Sequence, residues 1–315
     1  MTAIAARGPW RIGDKWSVLV FAVLFVLLIL LKGRFTAFDL RSLCVAALPL
    51  ALIALGQYLI ILTRGIDLSL GPVASVAGAL MAIHVAGNPA LGVLLPLAAG
   101  LFAGLLNGAL IVGIGLPPII VTLATMSIWQ GMALMVLPDP GGSVPSFYQD
   151  VLIGGFSSPY IGLAALLAWG GIVTWILSTR FGLSLRAIGG DELAAGMSGI
   201  RVKSTKIAAY VLGGLLAAIG GMYMAISMSS GSPTVGDGYI LTSIAAVVVG
   251  GVPLTGGRGS PLAVVMGALI LTITASLLYF AEVSSFYQSL IDGCILLLVV
   301  GSPGARGFIQ GLVRR

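Results

Sequence analysis

"GGDELAAGMSGIRVKSTK", residues 189–206, places five charged side chains in a 315-residue chain that is 58% hydrophobic and only 8% charged. An ordinary soluble domain carries roughly 25% charged residues. Here 16 Lys and Arg and 10 Asp and Glu are spread thinly among long apolar runs, and the mean hydropathy is +1.12. The chain therefore reads as an integral membrane protein, and residues 189–206 as the place where it leaves the lipid.

Working outward, apolar runs bounded by charges, prolines or glycines fall near 17–31, 43–62, 70–86, 91–111, 116–137, 160–178, 207–228, 240–253, 261–280 and 284–301. A crossing helix needs about 20 apolar residues, so the pattern predicts an all-α polytopic membrane helix bundle of about ten transmembrane helices. The third and eighth runs are short and interrupted, by Gly71-Pro72 and by Gly250-Gly251-Val252-Pro253, which predicts one or two broken or re-entrant segments. The first run follows Arg7, Arg11 and Lys15 like a signal peptide, but Lys32-Gly33-Arg34 stands where a small-residue cleavage site would be, so an uncleaved span is expected. No polar segment approaches the ~50 residues of a soluble domain. Residues 1–315 are read as one transmembrane domain with a polar loop at 180–206.

The basic residues set the orientation. With the N-terminus inside, Arg7, Arg11, Lys15, Arg64, Arg180, Arg186, Arg201, Lys203, Lys206, Arg258, Arg306, Arg314 and Arg315 fall on the inner side, and Lys32, Arg34 and Arg41 on the outer side. The excess of inner cations places both termini in the cytoplasm, with the first outer loop as the exception. The formal net charge of +6 is this membrane signature and not a nucleic-acid footprint, so no nucleic-acid partner is expected. Cys44 and Cys294 lie in apolar runs without metal-ligand spacing and read as core residues. Gly100, Gly104 and Gly108, and Gly213, Ala217 and Gly221, repeat at four-residue spacing, as small residues do where apolar helices pack closely in lipid.

Read as a helix, the opening stretch has Asp191 and Glu192 in its first turn, where negative charge suits the dipole. Leu193, Met197 and Ile200 then form one apolar stripe over about three turns. A stripe on a polar loop needs cover. Two covers are open on periodicity alone: the protein's own helices or lipid headgroups, or a groove on a soluble partner. No G-x-x-x-x-G-K-[ST], H-E-x-x-H or G-x-S-x-G occurs, and His84 is the single histidine, so no enzyme and no metal site is indicated. A transporter remains. An ion-coupled carrier would use intramembrane ionisable groups, and the candidates are Asp67, Asp292 and His84. Asp67 also reads as a cap for the helix after it or as a partner of Arg64, and Asp292 as a buried polar contact between helices.

Five stretches, taken in order, resemble the permease subunits of ATP-binding-cassette importers for simple sugars, the ribose-permease type, in the superfamily that also holds branched-chain amino acid permeases. They are "GIDLSLGPVASVAGAL" (65–80), "GLPPIIVTLATMSIWQGMAL" (115–134), "GDELAAGMSGI" (190–200), "GYILTSIAAVVVGGVPLTGGRGS" (238–260) and "SSFYQSLIDGCILLL" (284–298). The resemblance covers about residues 43–301. It implies that 189–206 is the coupling element presented to an ATPase subunit: Leu193, Met197 and Ile200 in its groove, Asp191 and Glu192 capping, and Arg201, Lys203 and Lys206 meeting lipid phosphates or ATPase acids. It also implies a second permease copy or a related chain, a periplasmic substrate-binding protein, a bacterial inner-membrane location, and ATP and magnesium held by the ATPase, with no cofactor on this chain.

Polar residues in apolar helices, Gln57, Ser75, Asn107, Thr122, Thr125, Gln130 and Thr242, are candidates to line the path, with ordinary helix-to-helix hydrogen bonding as the alternative. Uncharged hydroxyls and amides suit a neutral sugar or polyol. A nucleoside, an autoinducer furanone or a branched-chain amino acid are further cargo classes. Two departures stand out: Asp191 replaces the Asn usual after the second glycine, and Ile240-Leu241-Thr242 replaces a common Glu-Leu-Asp. The E-A-A-x-x-x-G pattern of maltose-type permeases is not kept.

Overall fold

The computed structural model describes residues 12–154 and 160–284, with scattered positions between 287 and 294. Among the described residues the chain is helical, with no strand and a single antiparallel bridge between Gly141 and Gly231. The helices are α1 (Ile12–Lys32), α2 (Ala37–Ile61), α3 (Leu70–His84), α4 (Pro89–Ala109), α5 (Pro118–Val136), α6 (Ser146–Gln149), α7 (Ile161–Ser178), α8 (Arg180–Gly190), α9 (Glu192–Met197), α10 (Val202–Met228), α11 (Tyr239–Val249) and α12 (Pro261–Phe280).

Local chemistry sets their starts. Asp39 at the third position of α2 accepts the Thr36 N–H at 2.7 Å, one half of a capping box. Asn88 accepts the Leu91 N–H at 3.2 Å to open α4, and prolines occupy the first turn of α4, α5 and α12, where no N–H is needed.

Six helices are long and apolar enough to cross a membrane, and three shorter apolar ones accompany them. Together they account for nine of the ten expected runs; most of the tenth, 284–301, and Asp292 within it lie outside the described residues. Both runs are short helices, as expected, but only one breaks where the sequence suggests: Gly250-Gly251-Val252-Pro253 follows the end of α11, whereas Gly71-Pro72 lies in the first turn of α3 and the break precedes it. At ~1.5 Å per residue α3 and α11 span about 22 and 16 Å, short of a hydrocarbon core of about 30 Å. Each is completed by chain outside the α-helix, 65–69 before α3 and, before α11, 229–238, which ends in a 3-10 turn at Val235–Gly238. The second descends from beside Ala82, near the end of α3, to Gly71, near its start. Irregular backbone survives at that depth only when protein satisfies its polar groups.

Most of α2 is buried, wrapped by α3, α7, α10, α11 and α12, while α4 lies across α3 and α10, α5 against α3, and α1 against α12. The close approaches are made by glycine. Gly100, Gly104 and Gly108 of α4 all face α10, at Gly214, Tyr210 and Ile207, and Gly56 of α2 meets Gly213. Large apolar side chains such as Phe102, Ile120, Met135 and Trp175 point outward, where lipid would take them.

Lys32 and Arg41, two of the three cations expected on the outer side, make structural contacts. Lys32 pairs with Asp39 and lies over the Phe280 ring, and the Arg41 guanidinium donates to the Gly154 carbonyl. Those two cations hold neighbouring segments together.

Candidate functional site

The charged loop is built from two helices and a turn. Asp191 adopts an extended conformation between α8 and α9, and its Oδ1 accepts the Ala194 N–H at 3.0 Å, so it is the N-cap of α9. Glu192 receives Lys206 Nζ at 2.8 Å, tying the start of α9 to the first turns of α10. The helix is shorter than the periodicity predicts. It stops at Met197, where Gly199 turns left-handed at φ 83°. Gly199 donates to Gly196 and Ile200 donates to Ala195 at 3.0 and 3.1 Å. That paired closure ends a helix with a glycine just past it, so the expected three-turn stripe is corrected: Ile200 lies beyond the helix and is half-buried. Leu193 and Met197 remain on α9, 78% and 84% exposed. Arg201 and Lys203 follow at the start of α10, both exposed.

Beneath this loop is a buried polar cluster at the α2–α3 junction. Asp67 is enclosed; its Oδ1 accepts the Ser69 N–H at 2.8 Å and the Ser69 hydroxyl at 2.7 Å. Its Oδ2 accepts Asn107 Nδ2 at 3.0 Å, and the same amide reaches Ser69 Oγ at 2.9 Å. Oriented to satisfy both ends, the Gln57 amide donates to the Asp67 carbonyl at 2.9 Å and accepts its N–H at 3.1 Å. Neither local reading of Asp67 holds: Ser69 is the N-cap residue of α3 and carries no side-chain cap, Asp67 instead closes the preceding turn onto Ser69, and Arg64 points away, to the carbonyls of Gly189 and Gly190. Asn107→Leu leaves the Asp67 carboxylate buried and short of a donor, a loss of ~1.5–3 kcal/mol. The expected result is a clear drop in the melting temperature of detergent-solubilised protein, while Asn107→Asp is worse still because two carboxylates would meet.

A second polar contact lies at the tip of the descending segment. Ser75 accepts the Gly236 N–H at 2.8 Å, and Gln130 Nε2 donates to Asp237 Oδ2 at 3.0 Å, while Asp237 Oδ1 is enclosed without a partner. Thr122 reaches the Ile66 carbonyl, Thr125 the Thr122 carbonyl, and Thr242 the Gly238 carbonyl. Gln57, Ser75, Asn107, Thr122 and Thr125 are buried; Gln130, Asp237 and Thr242 keep partial exposure. The structure thus gathers the seven polar candidates around the two broken segments. Asp237 is an ionisable group beyond Asp67, Asp292 and His84, and its signal in the sequence is an acid between glycines in "VGDGY" beside an apolar run. Among the described residues no three His, Cys, Asp or Glu side chains converge as a metal site.

A multi-pass bundle with two broken segments, a polar centre and an exposed amphipathic loop is the architecture of a membrane permease. Residues 40–300 match the family described as branched-chain amino acid transport system / permease component. The ribose import permease protein of Bacillus subtilis is 38% identical over 257 residues, covering 79% of each chain. That of Escherichia coli K12 is 33% identical over 304 residues, 92% of this chain and 93% of its own. The L-arabinose transport system permease protein of E. coli K12 is 34% identical over 301 residues, 92% and 90%. No solved structure matches. The chain belongs to this family of transport-system permease components, and it is a multi-pass membrane protein with no enzymatic activity of its own.

Proposed function

We propose that this chain is the membrane-spanning subunit of an ATP-binding-cassette importer in a bacterial inner membrane, moving a simple sugar or related polyol inward. A separate ATPase subunit, holding ATP and magnesium, drives it from the face of α9. The observation that carries the reading is the exposure of Leu193 and Met197 on a capped, clamped helix at the end of the bundle where Arg64, Arg180, Arg186, Arg201, Lys203, Lys206 and Arg258 gather. Apolar side chains on such a loop are an incomplete interface, and the relatives are named as ribose, L-arabinose and autoinducer 2 import permeases. By the inner excess of basic residues this end and both termini face the cytoplasm. A periplasmic binding protein delivers cargo to the opposite end, a second permease subunit completes the pathway, and the chain acts as a single transmembrane domain throughout.

In this reading Asp191 fixes the start of the docking helix, Glu192 holds it to Lys206, Leu193 and Met197 enter the ATPase groove with Ile200 at its edge, and Arg201 and Lys203 meet acids at its rim. Along the path, Gln57, Ser75, Asn107, Thr122 and Thr125 shape the broken segments around Asp67, while Gln130 and Thr242 present hydrogen-bonding groups to cargo. Asp292 serves as a structural polar group in the last span. Gln130→Leu is expected to raise the substrate concentration for half-maximal uptake by up to about tenfold, the ~0.5–1.5 kcal/mol of one hydrogen bond between neutral groups, with the ATPase still bound.

The deciding experiment is uptake of labelled ribose, arabinose and other pentoses in cells expressing the chain with its partner subunits. Uptake that stops on ATP depletion and persists when a protonophore collapses the membrane potential supports the proposal. The reverse pattern overturns it in favour of an ion-coupled carrier.

A further inference from the structure

We propose that Arg64 is a positioning residue that ties the docking helix to the buried Asp67 turn, so that displacement of α9 is delivered to the α2–α3 junction; this rests on α9 being the docking element. Arg64 is the last residue of the turn closing α2 and holds a left-handed backbone at φ 63°. That conformation is unfavourable for a residue with a Cβ, so its neighbours over-determine it. Its Nε donates to the Gly189 carbonyl at 2.8 Å and its Nη2 to the Gly190 carbonyl. Those are the last carbonyls of α8, which lack helical donors and carry the negative end of the dipole. The next residue is Asp191, the cap of α9. One guanidinium fork therefore grips the joint between the two loop helices.

Behind the fork the chain has little slack. Three residues on, Asp67 is held by side chain and backbone alike, through Ser69, Asn107 and Gln57. Beside it the Leu62 carbonyl accepts the Gly257 N–H at 3.0 Å. A Cβ on Gly189 would strike both Leu62 and Gly257, so the loop before α3, the end of α8 and the loop before α12 touch backbone to backbone. A shift of α9 then either carries residues 62–69 with it or breaks both Arg64 hydrogen bonds. Because the same turn anchors Asn107 on α4, the movement reaches the polar centre of the bundle without crossing any flexible segment.

The test uses the full importer, permease with ATPase and binding protein, reconstituted in liposomes, and reads cargo delivered per ATP hydrolysed. Arg64→Gly removes the fork while suiting the left-handed backbone. Arg64→Lys keeps the charge and stem but cannot bridge two carbonyls in a planar fork. Both variants are expected to retain the ATPase; the ratio should fall at least tenfold in Arg64→Gly and to an intermediate value in Arg64→Lys. A staple that only stabilised the fold would lower the yield and leave the ratio unchanged, and an unchanged ratio overturns the proposal. Should Arg64→Gly give no folded protein, Arg64→Lys alone decides on the same readout. Leu193→Asp in parallel keeps the two readings apart: an ATPase that stays bound to it refutes docking at α9, whatever Arg64 does.

Discussion

Leu193→Asp is expected to abolish ATP-driven uptake and to strip the ATPase from the solubilised complex, while the permease itself inserts and folds as before. The separation of those effects follows from exposure. Leu193 is 78% exposed on α9, so its side chain contributes little to the isolated bundle. Once covered by a partner, an apolar side chain of this size contributes ~1.5–3 kcal/mol. Replacing it with aspartate removes that and buries an unpaired carboxylate, which costs about 3–5 kcal/mol when one partner of a buried charge is missing. Lys206 offers the new carboxylate no compensation, because it is already committed to Glu192. At ~1.4 kcal/mol per factor of ten, association weakens by a thousandfold or more. Leu193→Met, conserving volume, is the control and should behave as the parent. Co-purification from mild detergent reads the outcome: ATPase present with the parent and Leu193→Met, absent with Leu193→Asp. Equal recovery in all three would return the stripe to its other reading, a helix lying on headgroups.

The features legible in the sequence were those written in hydropathy. Long apolar runs bounded by charge became α2, α4, α5, α7, α10 and α12, and the weak third and eighth runs became the short α3 and α11. The four-residue glycine spacing foretold close packing because it depends on side-chain size alone. What hydropathy does not encode is how interrupted backbone is satisfied. Gln57 and Asn107 read as pathway residues or, more readily, as packing residues, and what they pack against is hidden until the 65–69 segment is placed between them. Arg64 and Asp67, opposite charges three residues apart, suggest an ion pair; the left-handed turn at Arg64 sends the guanidinium to α8 instead. The stripe on the loop was overextended by one residue because i, i+4, i+7 counting takes no account of Gly199, whose left-handed conformation closes the helix first.

Gly104→Val is expected to leave less than a tenth of the parent's monodisperse protein after detergent extraction, whereas Gly171→Val, equally apolar and also within a membrane helix, leaves the yield unchanged. The contrast isolates close approach from any general intolerance of bulk. A Cβ at Gly104 would run into the Tyr210 carbonyl oxygen and the Val211 Cα, both backbone atoms of α10, which no rotamer change can move aside. At Gly171 a Cβ meets nothing within 4 Å. Overpacking a well-filled core commonly costs ~1–3 kcal/mol and more when backbone must shift. Here the shift is imposed on α10, the helix that also contacts α2 and α3, so the strain is shared by the three central helices. Lipid supplies no hydrophobic drive to reseal the gap, since tails solvate a separated apolar helix as well as its neighbour does. Gly108 provides a graded third point. Its Cβ would sit 3.0 Å from the Ile207 Cα, so Gly108→Ala should lower the melting temperature without emptying the monodisperse peak. If Gly104→Val and Gly171→Val gave the same yield, α4 would not depend on backbone contact with α10, and the glycine stripe would lose its role in assembling the bundle.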